Sequence, residues 1–189
     1  MARIVITVGH PRAGSYCEAL AESYQRGAVA AGHEVKLFRV GAMTFDLILH
    51  EELVRLQPLE PDLQVAHDAI LAADHLVVVF PLWIGMVPTI LKGFLERVLQ
   101  PDVLKHPQGG FVKFLRGKSA RIFVTMGMPA WLYWTWYGAY AVKTLKRCVM
   151  GPLGVRPIHA TVFGGMGTAE EERRAKWLKR VEGMGRRAA

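Results

Sequence analysis

Five short strand-like runs recur along the chain, and each is followed or preceded by a segment with helical periodicity. They occupy residues 4–8, 34–40, 75–80, 120–126 and 155–162. The first run has no polar alternation, as expected for a strand that is buried on both faces of a parallel sheet. Strands that alternate with helices form βαβ units. The pattern therefore predicts an α/β fold, an open five-stranded parallel sheet with helices on both faces.

Five helices are predicted between and after these strands. Ser15 with Glu18, and Thr168 with Glu171, have the spacing of a capping box and mark the starts of the first and last helices. Pro88 suits the first turn of the third helix, where its missing N–H is no loss. A loop that contains Pro101 is expected to follow this helix. With no repeat or linker composition in the sequence, we predict a single domain over residues 1–189.

The net charge of +8 suits an anionic partner. The Lys and Arg residues are scattered, however, apart from a cluster in the predicted last helix and the tail. Basic residues late in a helix interact favourably with its dipole, and we prefer this interpretation of the cluster to a nucleic-acid partner. The six histidines other than His10 have no metal-ligand spacing and are expected at the surface or at the sheet edge.

Two further features concern the cellular setting. Cys17 and Cys148 fit neither a metal site nor a disulfide framework, which indicates a reducing, cytoplasmic environment. The uncharged segment 122–142 is long enough to span a membrane, but glycine and proline interrupt it, and its second half is mostly Trp and Tyr. We predict a strand followed by an aromatic loop there, and no stable membrane insertion.

In a doubly wound sheet, ligands bind beyond the carboxyl ends of the strands. After the first strand comes GHPRAGSYCEAL, residues 9–20, which ends in a capped helix start that favours a phosphate. The loop contains neither a Walker lysine motif nor G-x-G-x-x-G, which argues against a nucleotide triphosphatase and an ordinary Rossmann dehydrogenase. His10, Arg12 and Ser15 could hold a phosphate, or the segment could be a plain capped turn. These residues alone do not decide between the two.

The loop after the third strand, PLWIGMVP at residues 81–88, has prolines at both ends and a tryptophan between them. Such a loop is stiff and apolar, and it can lie against a flat aromatic ligand with its remaining N–H groups turned toward the polar edge of that ligand. Alternatively, it could be buried under a neighbouring helix or subunit.

A family resemblance extends from this loop. FPLWIGMVPTILKGFLERV, residues 80–98, resembles the flavin-loop signature of the flavodoxin-like NAD(P)H:quinone oxidoreductases of the DT-diaphorase and drug-modulator type. The loop at residues 9–20 is similar to the phosphate-side loop of the family, and VTMGMP at residues 124–129 is similar to its third loop. The three motifs occur in the family's order, and the similarity covers nearly the whole chain.

The resemblance implies a flavodoxin-like doubly wound sandwich with strand order 2-1-3-4-5, non-covalently bound FMN or FAD, and a homodimer. It assigns residues by position to the flavin phosphates and ribityl chain, to the isoalloxazine ring, and to the pyrimidine edge of that ring. These three sets are His10, Ser15, Tyr16 and Cys17; Pro81, Leu82, Trp83 and Ile84; and Thr125, Met126, Gly127 and Met128.

The resemblance also implies the activity and its substrate-side residues. NAD(P)H would pass hydride to the flavin, and a quinone-like acceptor would then take it from the same space. Tyr133 matches a tyrosine near the substrate face, and Tyr140 stands where many relatives carry a histidine. Both would act as hydrogen-bond donors, since an ordinary tyrosine is protonated at neutral pH. The alternative for both is packing among the neighbouring tryptophans.

Besides Tyr140, whose replacement of a histidine puts a proton-relay role there in doubt, the sequence departs from the family pattern in two further places. Ile84 stands where relatives often have a second aromatic residue, and residues 101–104 replace an aromatic-containing stretch that lines the substrate pocket in many members.

The sequence leaves two other functions open. One is a flavodoxin-type electron carrier, which the basic charge and the aromatic third loop disfavour. The other is a flavin-binding ancillary subunit that regulates a membrane transporter.

Overall fold

The structure, a computed structural model, describes residues 1–104 and 113–188. Its five strands are all parallel and are hydrogen-bonded in the order β2-β1-β3-β4-β5. They are β1 (Arg3–Val8), β2 (Glu34–Arg39), β3 (His75–Pro81), β4 (Ser119–Thr125) and β5 (Ile158–Phe163). The predicted fold class and strand order are confirmed.

Helices cover both faces of the sheet. Those of the described residues are α1 (Tyr16–Ala30), α2 (Pro61–Ala72), α3 (Thr89–Leu104), α4 (Ala130–Thr135), α5 (Tyr140–Thr144) and α6 (Glu171–Arg186). A short 3-10 turn, Val40–Ala42, follows β2, and α5 continues into a π-helical segment, Leu145–Met150. α1 and α6 pack on one face, whereas α2, α3, α5 and the π-helical segment pack on the other.

The two apolar cores explain why the central strand β3 lacks polar alternation. In β3 all seven residues are buried, and successive side chains point to opposite faces. Val77 and Val79 enter the core beneath α1 and α6, whereas Leu76, Val78 and Phe80 enter the core beneath α2 and α3. Because each face is covered by helices, every position of the central strand favours an apolar residue.

The structure corrects three details of the sequence interpretation. α6 begins at Glu171, and the Thr168 hydroxyl donates to the Gly165 carbonyl (3.4 Å), so Thr168 does not form the predicted capping box. Pro101 belongs to the last turn of α3 and not to a loop. Arg173 and Arg174 lie in the first turns of α6, so the helix dipole does not explain that part of the basic cluster.

The uncharged segment 122–142 contains the end of β4 and then two short helices, α4 and the start of α5, where we predicted an aromatic loop. In the described parts of the chain, no helix is both long enough and apolar enough to cross a membrane.

Arg97, a buried residue of α3, holds the irregular chain between β2 and α2. Its Nη1 donates to the Asp46 carbonyl (2.7 Å), and its Nη2 donates to the Pro58 carbonyl and to a Glu60 carboxylate oxygen, both at 2.8 Å. Three residues further along α3, the buried Gln100 donates to the carbonyls of Glu52 and Arg55. These contacts satisfy charged and polar groups that would be costly to bury without partners.

His75, at the start of β3, is buried with 3% of its surface exposed, contrary to the expectation of a surface or edge position. Its ring stacks on Tyr24 with centroids 6.2 Å apart, and Nδ1 lies 2.7 Å from the Ser119 hydroxyl. Burial, with smaller contributions from the charges of Arg121, His159 and His33, lowers the pKa of His75 to about 4. The imidazole is therefore neutral in the folded protein at physiological pH.

We expect His75 to make folding sensitive to mild acid. Between pH 6.5 and about 4, the unfolded chain binds a proton at this histidine and the folded protein does not, so stability falls as the pH falls. The loss across this window is about 3 kcal/mol. Urea denaturation at a series of pH values measures the slope of the unfolding free energy against pH. His75→Asn, which keeps an acceptor or donor toward Ser119, is expected to flatten that slope.

His50→Gln provides the control for this measurement. His50 is exposed and its ring lies beside the Asp46 carboxylate, so the variant changes a surface histidine and leaves the core intact. An equal flattening of the slope in both variants would contradict the assignment to His75.

Candidate functional site

The three loops singled out in the sequence lie side by side. They follow β1, β3 and β4, which are neighbours in the sheet. Backbone hydrogen bonds continue past the strands: Gly9 donates to the Val79 carbonyl (2.8 Å) and Leu82 donates to the Thr125 carbonyl (2.8 Å). The carboxyl edge of the sheet therefore holds all three loops in one site, with the first at residues 9–15, the second at 82–88 and the third at 126–129.

The first loop leads into the amino end of α1. The Ser15 hydroxyl oxygen accepts from the Glu18 N–H (3.3 Å), which confirms Ser15 as the helix cap. The Glu18 carboxylate accepts from the Gly14 N–H (2.6 Å) and completes the cap one residue earlier than in a standard capping box. The N–H groups of Tyr16 and Cys17, in the first turn, have no acceptor among the described residues. Together with the helix dipole, they favour an anion.

The side chains of Tyr16 and Cys17 point away from this anion site. The Tyr16 hydroxyl donates to the Arg174 carbonyl of α6 (2.8 Å), and burial raises its pKa to about 12. The buried Cys17 Sγ lies 3.2 Å from the Thr125 hydroxyl, and burial raises the thiol pKa to about 11. Cys17 is therefore a neutral thiol that joins α1 to the end of β4. What these two residues can offer a ligand is their backbone N–H groups.

His10 connects the first loop to the second. Its ring meets the Trp83 ring edge-on, with centroids 5.3 Å apart. His10 Nδ1 lies 3.0 Å from the Arg12 nitrogen and 3.1 Å from the Arg12 carbonyl oxygen, so the Arg12 backbone holds the ring from this side. Burial is the largest cause of a lowered His10 pKa, so the neutral form is favoured. Arg12 is exposed at the edge of the same loop and supplies a positive charge there.

The second loop contains a tight turn with a strained residue. Trp83 and Met86 exchange two backbone hydrogen bonds (3.1 and 2.9 Å), and both central residues, Ile84 and Gly85, have positive φ angles of 49° and 75°. A β-branched residue in this region is rare and strained. The Ile84 side chain is fully exposed, so no contact within the protein compensates for the strain. Such strain is typical of binding loops.

The third loop turns tightly over the chain that follows β5. Gly165 donates to the Met128 carbonyl (2.9 Å), and a Cβ at Gly164 would lie 2.3 Å from the Ala130 nitrogen. Thr125 and Met126 are buried, whereas a Cβ at Gly127 would enter open space. The Gly127 N–H has no acceptor among the described residues. The loop thus presents backbone donors on a rigidly held turn.

The two candidate substrate residues, Tyr133 and Tyr140, differ in their exposure to solvent. Tyr133 is 2% exposed, and its hydroxyl oxygen accepts from the Val142 N–H (3.3 Å), so the side chain packs in the core where we expected contact with a substrate. Burial raises the Tyr133 pKa, which keeps the hydroxyl protonated. Tyr140, at the start of α5, is well exposed, and Lys143 Nζ lies 5.8 Å from the centre of its ring.

Sequence reasoning missed the support beneath the first loop. Arg39, at the end of β2, pairs with the carboxylates of Glu18 and Glu22. Gly41 lies so close to the loop that a Cβ there would be 2.5 Å from the Pro11 carbonyl oxygen. The capping spacing identified Glu18, but the contact with Arg39 depends on β2 pairing beside β1. No cluster of three or more potential metal ligands occurs within residues 1–104 and 113–188.

The strain at the second loop predicts opposite effects at two neighbouring positions. Ile84→Gly removes a β-branched side chain from the left-handed region and is expected to raise the free energy of unfolding by about 1 kcal/mol. Gly85→Ala introduces a Cβ at positive φ and is expected to lower it by about 1 kcal/mol. Gly127→Ala, with open space and no positive φ, serves as the control and changes stability little. Urea denaturation measures all three, and shifts of the same sign at residues 84 and 85 would disprove the strained turn.

Comparisons with known proteins show the family to which the chain belongs. Residues 2–183 match the Flavodoxin_2 family, described as having a flavodoxin-like fold. An uncharacterized NAD(P)H oxidoreductase of Haemophilus influenzae is 31% identical over 185 residues, covering 93% of this chain and 90% of that protein. An FMN-dependent NADH:quinone oxidoreductase of Ruegeria pomeroyi is 33% identical over 60 residues, covering 31% of this chain and 29% of that protein.

The fold is similar to that of solved structures over almost its full length. An NAD(P)H:quinone oxidoreductase from Methanothermobacter marburgensis superposes with a TM-score of 0.79 and 25% sequence identity, covering 98% of this chain and 94% of that one. The chain therefore belongs to the flavodoxin-like family that includes the NAD(P)H:quinone oxidoreductases.

Proposed function

We propose that the protein is a flavin-dependent oxidoreductase that transfers electrons from NAD(P)H to a quinone-like acceptor. One observation carries the proposal: three adjacent loops present backbone N–H donors without protein acceptors, beside an anion-favouring helix start and a strained apolar turn. This arrangement suits a flat ring with a polar edge and a phosphate tail. The relatives named as NAD(P)H oxidoreductases support the same reaction.

The residues of the site fit a flavin mononucleotide. The amino end of α1 and Arg12 would hold a single phosphate, the Trp83–Met86 turn would contact the ring, and the Gly127 N–H would reach the polar edge of the ring. A bound flavin supplies two-electron redox chemistry, accepting hydride from the nicotinamide and delivering it to the acceptor. FMN is favoured over FAD because the Ruegeria pomeroyi relative is described as FMN-dependent.

The contribution of the protein is orientation and charge stabilisation. The N–H groups of Ile84, Gly85 and Gly127 would stabilise negative charge at the ring edge in the manner of an oxyanion hole. His10 Nε2 would face the ligand, because Nδ1 contacts the Arg12 backbone, and the contact of the ring with Trp83 holds the first and second loops together. We propose that Tyr140 donates a hydrogen bond on the substrate side, whereas Tyr133 positions the third loop through the Val142 N–H.

We also propose a homodimer, for which the structure offers a surface. An apolar groove of about 220 Å³ runs between α3 and the α5 region, lined by residues that include Leu53, Met86, Leu95, Leu99 and Val149. The groove adjoins the second loop, so a second copy seated there would lie beside the site. Both cysteines are free thiols, which supports the proposed cytoplasmic setting.

The alternatives from the sequence are less well supported. A flavodoxin-type carrier has no substrate of its own, whereas the named relatives are oxidoreductases. The ancillary-subunit hypothesis has no contact in the described chain that favours it over catalysis.

The reductase proposal predicts two spectroscopic half-reactions. Protein incubated with FMN and freed of excess cofactor is expected to show a flavin absorption spectrum. That spectrum bleaches on anaerobic mixing with NADPH or NADH and returns when a soluble quinone is added. Repeated turnover with quinone separates a reductase from an electron carrier. A protein that stays colourless with both FMN and FAD would exclude the proposal.

The dimer proposal predicts that one charge in the groove separates the subunits. Met86→Glu places a carboxylate at the exposed rim of the groove and is expected to convert a dimer into a monomer in sedimentation velocity experiments. Ile48→Glu, at an exposed apolar position that does not line this groove, is expected to remain dimeric. A monomeric unmodified protein, or a dimeric Met86 variant, would refute this interface.

A further inference from the structure

The net positive charge of the chain comes from one stretch of the sequence. Residues 103–169 contain nine Lys or Arg residues and no Asp or Glu, which gives this stretch a charge of +9. The other 15 Lys and Arg residues are balanced by all 16 acidic residues. The net charge of +8 therefore describes one region of the molecule and not its average surface.

Four of these basic side chains line a single groove. Lys113, Lys146, Arg147 and Arg156 surround a space of about 480 Å³ between the π-helical segment and the start of β5. No acidic side chain of the described residues lines the groove, and none of the four forms an ion pair within the described chain. Four unpaired cations in one concave surface attract an anionic partner.

Exposed aromatic residues lie in α4 and at the start of α5, which precede the π-helical segment in the chain. Trp131, Trp134, Trp136, Tyr137 and Tyr140 are 45–83% exposed within ten residues of sequence. Tyr140, Lys143 and Arg147 have helical spacing, and they lie on the outer face because Ala141, Val142 and Leu145 occupy the core. We call the five aromatic residues and the four groove residues, with Lys143 between them, the aromatic–basic face.

We propose that the aromatic–basic face docks the protein on the surface of a bilayer that contains anionic lipids. Trp and Tyr are favoured at the headgroup level, where the ring is buried and its polar atom stays hydrated. Lys and Arg within reach of anionic headgroups add an attraction of about fivefold in affinity per side chain. Docking of this kind is peripheral, since α4 and α5 are only six and five residues long.

The arrangement of the face favours a lipid surface over a single-stranded nucleic acid. Nucleic-acid grooves combine stacking rings with cations that track the phosphate backbone, so both kinds of residue follow one path. Here the aromatic side chains are grouped at one end and the groove cations at the other. A flat anionic surface would contact both ends along Tyr140, Lys143 and Arg147, which lie on the outer face of the helical segment between them. If the proposed function holds, docking also brings the chain after the third loop to a membrane in which lipid-soluble acceptors dissolve.

Vesicle co-sedimentation tests the docking without using enzymatic activity. The full-length protein is expected to sediment with phosphatidylcholine vesicles that contain phosphatidylglycerol, and not with phosphatidylcholine alone. High salt should release it. The double variant Lys146→Gln/Arg147→Gln is expected to bind about 25-fold more weakly. Trp136→Ala is expected to weaken binding while the salt dependence persists.

Lys179→Gln/Arg180→Gln is the matched control, because it removes the same two charges from exposed positions on α6, across the sheet from the aromatic–basic face. This variant should bind vesicles within twofold of the unmodified protein. Equal losses in the two double variants, or no binding to anionic vesicles, would overturn the proposal. So would a fluorescently labelled single-stranded oligonucleotide that binds more tightly than the vesicles and displaces them. Each outcome is independent of whether the protein reduces quinones.

Discussion

The site depends on the reversal of strand order at β1. This strand pairs with β2 on one side and with β3 on the other, so the chain leaves the carboxyl ends of β1 and β3 toward opposite faces of the sheet. α1 then packs on one face and α3 on the other, which opens a crevice between the loops that precede them. The crevice is narrow, since a Cβ at Gly9 would lie 2.7 Å from the Leu91 side chain. The contact between His10 and Trp83 spans it.

Once the loops are fixed, the site is built more from backbone than from side chains. The side chains of Tyr16, Cys17 and Tyr133 all turn inward, to α6, to Thr125 and to the α5 backbone, respectively. These side chains hold the loops, while N–H groups of the same loops have no acceptor among the described residues and can bind a ligand. A site of this kind tolerates side-chain divergence as long as the loop path is kept. This agrees with a fold shared at 25% identity over nearly the full chain.

The sequence predicted those features that depend on local chemistry or on burial on both faces. The inner strands were evident because burial on both faces excludes polar residues, and Ser15 was evident because a helix cap is a local hydrogen bond. The features it missed depend on distant partners. His75 is buried because Tyr24 and Ser119 come from other elements, and Tyr133 is buried because α5 folds back over it. Thr168 has the spacing of a cap, but the helix starts after Glu170, and spacing alone cannot choose between two adjacent starts.

The distribution of charge distinguishes the candidate site from the rest of the surface. The first loop has a single exposed arginine, and Glu18, paired with Arg39, lies beside it, so anion binding there relies on helix N–H groups and the helix dipole more than on net charge. The excess positive charge lies instead in residues 103–169, which contain nine Lys or Arg residues and no Asp or Glu. Lys118 and Arg121 are used within the fold, where they donate to the Leu71 carbonyl and the Thr161 hydroxyl, but Lys113, Lys146, Arg147 and Arg156 line a groove and form no ion pair among the described residues. These four cations are better explained by the proposed anionic surface than by the cofactor.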